Sequence, residues 1–244
     1  MTGYRVIPAG DTALVVEFGD RIDRGLNNKV LALAGRLDEA QIDGIVEIVP
    51  TFRSLTVHYE PMVVPFAALS ARIATLMQDL RAGETAGQVW RLPACYDASV
   101  APDLDDVAAR TNLSPAQVIE RHSAVAYHVY MLGFLPGQAY MGDVAPELAL
   151  SRRQSPRMKI PAGSLAIAMT MTSIFPQETP CGWHLIGRSP VPLWDKSGAM
   201  ALLRPGDQVS FAPVSLREYE DLLAKAADGR LSIAPVDQVR DAAA

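Results

Sequence analysis

Arg157 and Lys159 flank Met158 just ahead of the turn Pro161-Ala162-Gly163-Ser164. On an extended segment, side chains two apart share a face, so both cations point the same way. An Arg fork beside a Lys point charge suits a carboxylate or a phosphate. The same pair also suits a charged edge that protects a strand from unwanted pairing. Gly163 and Ser164 then offer backbone N–H groups and a hydroxyl to a carbonyl oxygen. The G-x-S-x-G spacing is absent, so Ser164 is not read as a nucleophile. Gly182-Trp183-His184-Leu185-Ile186-Gly187-Arg188 sets a histidine and an arginine beyond a glycine turn, which marks His184 and Arg188 as ligand contacts. Tyr140, in Pro136-Gly137-Gln138-Ala139-Tyr140, is expected to wall the same pocket. Glycine in these loops serves positive φ or close approach of a ligand, and proline keeps the neighbouring backbone stiff.

The other reactive side chains point elsewhere. His58, His122, His128 and His184 show no pair at metal-ligand spacing, so no zinc site is expected. His58 alternates with apolar residues and reads as a surface or edge position. His122 ends a helix, where the dipole favours a cation. Cys95 and Cys181 form no metal or redox motif. Cys181 reads as a small residue in a tight loop rather than a catalytic thiol. Residues 104–119 resemble a helix-turn-helix, but the second helix has few basic residues to meet phosphates.

Composition narrows the class. The 244 residues are 49% hydrophobic and 20% charged, with a net charge of −5, as in ordinary globular chains. That acidic balance argues against nucleic acid or an anionic membrane as the main partner. No basic-then-apolar leader stands at the N-terminus, and no apolar run approaches the ~18 residues of a membrane span. A cytoplasmic location is expected.

The elements that must position these groups follow from patterning. Residues 4–9 and 13–18 alternate around Gly10-Asp11 and predict a strand pair. Leu26, Val30, Leu33, Ala34 and Leu37 give helical spacing over 23–37. Strands are expected at 44–50 and 54–59, and a second helix over 65–81. This is a small α+β domain over 1–83 with helices on one face. The polar, glycine-bearing segment 84–88 reads as a linker. Beyond it, a strand over 89–96 and two short helices precede a run of short apolar segments separated by Gly and Pro. The second helix opens on Ser114-Pro115-Ala116-Gln117, a capping box with Pro at the first helical position. Many short strands over 89–244 predict a mainly β barrel or sandwich. A last helix starts at Ser215 with another capping box, and 233–236 reads as a final strand.

The residues that carry the candidate site also carry a resemblance. His122, the run from Tyr127-His128-Val129-Tyr130-Met131-Leu132 to Gly133-Phe134-Leu135-Pro136-Gly137, Pro156-Arg157, Pro161-Ala162-Gly163-Ser164 and Gly182-Trp183 resemble the allophanate hydrolase subunit 1/KipI family. Pro8-Ala9-Gly10-Asp11 and Glu47-Ile48-Val49-Pro50-Thr51 extend the similarity through the N-terminal half. That family includes the B subunits of 5-oxoprolinases and a histidine-kinase inhibitor. The resemblance implies a cyclophilin-like barrel for the second domain. It further implies a non-autonomous subunit of an ATP-dependent enzyme that opens 5-oxoproline to glutamate. Its partners would be an A-like subunit and a C-like subunit of the allophanate hydrolase subunit 2 family. No Walker-type phosphate loop occurs, so ATP and its Mg are expected mainly on a partner. In that scheme Arg157 and Lys159 steady an anion, Gly163, Ser164 and His184 contact a polarised carbonyl, and Tyr140 lines the pocket. A kinase inhibitor and the carboxyltransferase half of a urea-type carboxylase are the alternatives the family offers.

Three positions depart from the family pattern. Gln138-Ala139 stands where relatives have Phe-Pro, Cys181 where they more often have Gly, and 168–173 where they have a Gly-Gly-Gln-Thr-Gly stretch. Added volume and lost positive-φ freedom at 168–173 predict an altered pocket if that stretch lines it.

Overall fold

The computed structural model describes residues 3–78, 80, 87–195 and 197–236. The expected linker at 84–88 is therefore described only at Gly87 and Gln88, and Arg81, the expected end of the second helix, lies outside the described residues. The chain forms two compact units, Met1–Ala86 and Gly87–Ala244.

In the first unit, β1 (Arg5–Pro8) and β2 (Ala13–Glu17) pair antiparallel, as the alternation predicts. Helix α1 (Arg24–Ala40) starts where the Asp23 carboxylate accepts from the Leu26 N–H at 3.0 Å. Strands β3 (Ile45–Pro50) and β4 (Ser54–Tyr59) and helix α2 (Phe66–Gln78) complete it. The sheet order is β1-β2-β4-β3. Leu55, Val57 and Tyr59 of β4 enter a core with Leu14, Val30, Leu33, Leu37, Leu69 and Ile73. His58 is not at an edge: β4 lies inside the sheet, with His58 opposite Ala13 on one side and Glu47 on the other.

The second unit is a closed seven-stranded barrel, so the expected α+β domain followed by a mainly β barrel holds. It begins with β5 (Val89–Cys95), α3 (Leu104–Thr111) and α4 (Pro115–Ser123). Strands β6 (Tyr127–Leu132) and β7 (Ala139–Gly142) precede β8 (Arg157–Ile160), β9 (Ser164–Ala168) and β10 (Met171–Ile174). Then come β11 (Thr179–Cys181), β12 (His184–Arg188), β13 (Trp194–Asp195), β14 (Met200–Ala201), β15 (Gln208–Val214) and α5 (Leu216–Ala227). The barrel order is β10-β7-β6-β15-β5-β12-β9, with β9 closing on β10. Strand β15 runs parallel to β5, and β8 and β11 pair outside the barrel. Both expected capping boxes are present, at Ser114/Gln117 and Ser215/Glu218. Residues 233–236 do not form the predicted strand; they make one bridge, Val236 to Val89.

Inside the barrel, His122 is fully buried and stacks on Phe211 with ring centroids 4.9 Å apart. Its Nδ1 is 2.8 Å from the Tyr96 hydroxyl and its Nε2 is 3.0 Å from Thr172 Oγ1. Thr172 Oγ1 in turn donates to Ala166 O, so the hydroxyl accepts from Nε2–H, and Tyr96 donates to Nδ1. Burial overrides the helix dipole here: the imidazole is neutral, its pKa pushed down from 6.5 to about 3.

Gly163 and Gly137 share a constraint. Both have positive φ, +80° and +76°, and a Cβ on either would lie 2.4 Å from Ser189 O or 2.5 Å from Leu193 O. The same strap, 189–193, closes over both loops, so these glycines admit the chain's own backbone rather than a ligand.

Because the folded pKa of His122 lies below its unfolded value, neutral His122 stabilises the fold fully above pH 6.5. That stability falls as the pH drops toward 3, by up to about 1.4 kcal/mol per pH unit. Denaturant midpoints measured across this range should fall steadily, and His122→Gln should flatten the slope.

Candidate functional site

A small cleft of about 150 Å³ opens beside β7 and β11. Its walls are Tyr140, Phe134, Phe175 and Trp183, with Gln138, Arg152, Pro180, Cys181 and Gly182 completing the lining. Tyr140 and Phe175 each meet Trp183 edge-on, at 6.0 and 6.1 Å between centroids. The volume is below the ~300–1,000 Å³ of drug-sized ligand sites and suits a single small ring.

Two polar groups stand among these aromatics. Gln138 is 1% exposed and its Oε1 has no hydrogen-bond partner among the described residues. A buried amide oxygen without a donor costs about 1–3 kcal/mol, so a donor belongs there in the working state. Arg152 is exposed and has no carboxylate partner among the described residues, leaving its charge available at the rim. Burial raises the pKa of the Tyr140 phenol and of the Cys181 thiol, with Arg152 partly offsetting both. Cys181 Sγ also accepts from the Trp183 N–H at 3.2 Å. Cys181 is thus a protonated wall residue, as its small-residue reading expected.

Behind the cleft lies a buried carboxylate, Asp103, that sequence reading missed. Arg157 grips it with two bonds of 2.7 Å, Arg153 adds one of 2.8 Å, and the Leu185 N–H donates at 2.7 Å. Burial would raise this pKa, but Arg157, the Leu185 N–H and Arg153 together hold it below the usual carboxylate range. Asp103 occupies the N-cap position of α3 without making the side-chain cap bond, because its oxygens are taken by the arginines.

The structure separates the residues expected to form one site. Tyr140 lines the aromatic cleft. Arg157 does not face a ligand, since its guanidinium is bound to Asp103, and Lys159 is exposed and paired with Glu178 at 2.9 Å. They form no shared anion clamp, because β8 turns one cation inward and leaves the other in solvent. The Gly163 N–H donates to Phe175 O and the Ser164 N–H and hydroxyl both reach Pro161 O, so neither is turned to a carbonyl of a ligand. His184 is fully buried, its Nε2 2.9 Å from Ser151 O, away from the aromatic lining. Arg188 donates to Ala162 O at 2.7 Å and lies over the Tyr219 ring at 5.8 Å.

Of the departures from the family pattern, Gln138 and Cys181 line the cleft and 168–173 does not. Met169 adopts φ of 51° at an exposed turn, while Thr172 and Ser173 are buried and bonded to Ala166 O and Ala139 O. Arg152 and Asp103 had no sequence signal beyond their charge: Asp103 meets Arg157 across 54 positions.

Asp103→Asn should leave two arginines without their counter-charge and destabilise the fold by about 3–5 kcal/mol in a denaturant titration. The loss should shrink only as the pH falls below the usual carboxylate range, where wild-type Asp103 at last takes up a proton.

The family model "Carboxyltransferase domain, subdomain C and D" matches residues 4–203. The B subunit of the 5-oxoprolinase of Bacillus subtilis (strain 168) is 36% identical over 231 residues, 88% of this chain and 95% of that protein. A solved structure, that of TTHA0988, is 34% identical with a TM-score of 0.74, and the match covers 83% of this chain but 40% of that longer one. The urea carboxylase of Kluyveromyces lactis, 21% identical with a TM-score of 0.80 over 96% of this chain and 24% of its own, shares the fold alone. The chain accordingly belongs to the family of carboxyltransferase subdomains C and D, and within it is similar to the B subunits of 5-oxoprolinases.

Proposed function

We propose that this chain is the B subunit of an ATP-dependent 5-oxoprolinase, which opens the lactam of 5-oxoproline to glutamate together with A-like and C-like partner subunits. The observation that carries the reading is the 36% identity to the B subunit of a bacterial 5-oxoprolinase over nearly the full length of both chains. The aromatic cleft supports it chemically. A five-membered lactam is a flat ring with an amide N–H, a carbonyl and a carboxylate. Tyr140 and Trp183 offer faces and edges to the ring, Gln138 Oε1 awaits an N–H donor, and Arg152 stands at the rim for a carboxylate. Tyr140, with its phenol proton retained, can donate to an acceptor on the same ligand. ATP enters as a substrate of the assembled enzyme. The two-unit organisation, a small α+β domain and a barrel domain, belongs to this reading as the frame of the subunit.

The deciding experiment co-expresses the chain with candidate A-like and C-like partners, purifies through a tag on this chain, and follows ATP-dependent glutamate release from 5-oxoproline. Co-purification with turnover is the expected result. A stable complex that fails on 5-oxoproline but acts on another amide moves the substrate. Absence of any complex overturns the reading in favour of a kinase inhibitor. In the active complex, Gln138→Leu should raise KM for 5-oxoproline about tenfold, with a smaller change in kcat, since one buried hydrogen bond is worth about 1–1.5 kcal/mol.

A further inference from the structure

A second cleft adjoins the aromatic one and differs from it in chemistry. It is open, about 620 Å³, and lined by Arg110, Arg152, Arg153, Asp106 and the polar residues Ser151, Gln154 and Ser155. No aromatic residue lines it. Arg152 belongs to both clefts, so the two sites meet at one guanidinium.

The charge balance of this cleft favours an anion. Three arginines face one lining carboxylate, Asp106, which sits 3.7 Å from Arg110 on the same helix and is half exposed. Pairs of that kind are worth only about 0.3–0.5 kcal/mol and leave Arg110 able to swing to a ligand. Arg153 is fixed by Asp103, which sets its position, while its Nε is buried with no hydrogen-bond partner among the described residues. His184 does not join this set: its Nε2–H donates to Ser151 O, which leaves Nδ1, 3.9 Å from Asp106 Oδ2, an acceptor with nothing to offer a phosphate oxygen. Arg153 Nε is thus a buried donor beside this cleft without an acceptor among the described residues, and a ligand oxygen would complete its bonding.

We propose that this cleft is a second binding site of the chain, taking the phosphate oxygens of a polyphosphate such as the tail of a nucleoside triphosphate. Arg110 and Arg152 are the mobile forks and Arg153 the fixed one, a set suited to several phosphoryl groups rather than one. The choice of a nucleotide over inorganic polyphosphate rests on the 5-oxoprolinase reading above; the preference for phosphate oxygens rests on the arginines alone. On this proposal the phosphate tail also touches this chain, beside whatever contacts a partner supplies. With the lactam in the aromatic cleft, the shared Arg152 would bring the two substrates to neighbouring positions.

The test is calorimetric titration of the purified full chain with ATP, inorganic tripolyphosphate and inorganic phosphate. ATP and tripolyphosphate should bind, and phosphate at least tenfold more weakly. Arg110→Gln, which touches only this cleft, should weaken tripolyphosphate at least tenfold without moving the thermal midpoint, and raised salt should weaken it further. ATP binding well ahead of tripolyphosphate assigns the nucleotide; equal binding assigns the polyphosphate alone. Absence of tripolyphosphate binding, indifference to Arg110→Gln, or phosphate binding as tightly as tripolyphosphate overturns the proposal. A reconstituted complex that turns over 5-oxoproline while the chain binds no polyphosphate removes only this inference. Polyphosphate binding without any turnover removes only the 5-oxoprolinase reading.

Discussion

The buried carboxylate of Asp103 is the constraint on which the rest of the barrel's outer face depends. An ionised carboxylate with 3% of its residue exposed is tolerable only if its oxygens are filled by donors. Here they are filled from three directions: Arg153 ahead of β8, Arg157 at its first position, and the Leu185 N–H on β12. The Asp103 N–H returns a bond to Leu185 O, so the start of α3 is locked to the barrel wall at both ends of one residue. The 151–157 segment has almost no regular structure of its own, and this carboxylate gives it a fixed course.

That fixed course is what creates two clefts. Arg153 and Arg157 turn inward to Asp103, while Arg152, beside Arg153 in the chain, is left exposed at the boundary. On one side lie the aromatic walls of Tyr140, Phe175 and Trp183; on the other lie Arg110 and Asp106 of α3. An apolar cleft with few polar groups orients a small ring, and a polar cleft rich in arginine gathers anionic charge. The same ion-pair cluster therefore frames both clefts.

Glycine and histidine play more structural parts than their positions suggest. Gly137 and Gly163 sit in loops that look built for ligand approach, yet both are required by the carbonyls of the 189–193 strap. His122, placed where a helix dipole would welcome a proton, is instead a neutral link in a directional chain from Tyr96 through Thr172 to Ala166 O. In both cases the local rule is valid and a tertiary neighbour overrides it, because desolvation and steric overlap are larger than a helix-end dipole of about 0.3–1 kcal/mol.

The amino-acid sequence determined the local elements. Periodicity placed α1, α2 and β4, and Ser114 and Ser215 with their partners three residues on fixed two helix starts, since capping and alternation depend on residues only a few positions apart. Some motif residues do come together: Tyr140, Gly182 and Trp183 line the aromatic cleft, and the unusual Gln138 lines it too. Only the tertiary structure decided which charges are free. Spacing singled out Arg157 and passed over Arg152 and Arg153, whereas Asp103, some fifty positions away, binds Arg153 and Arg157 and leaves Arg152 exposed. Lys159 and Arg157 share a strand yet end in different surroundings, because burial of one and exposure of the other is set by what packs on the strand and not by spacing along it.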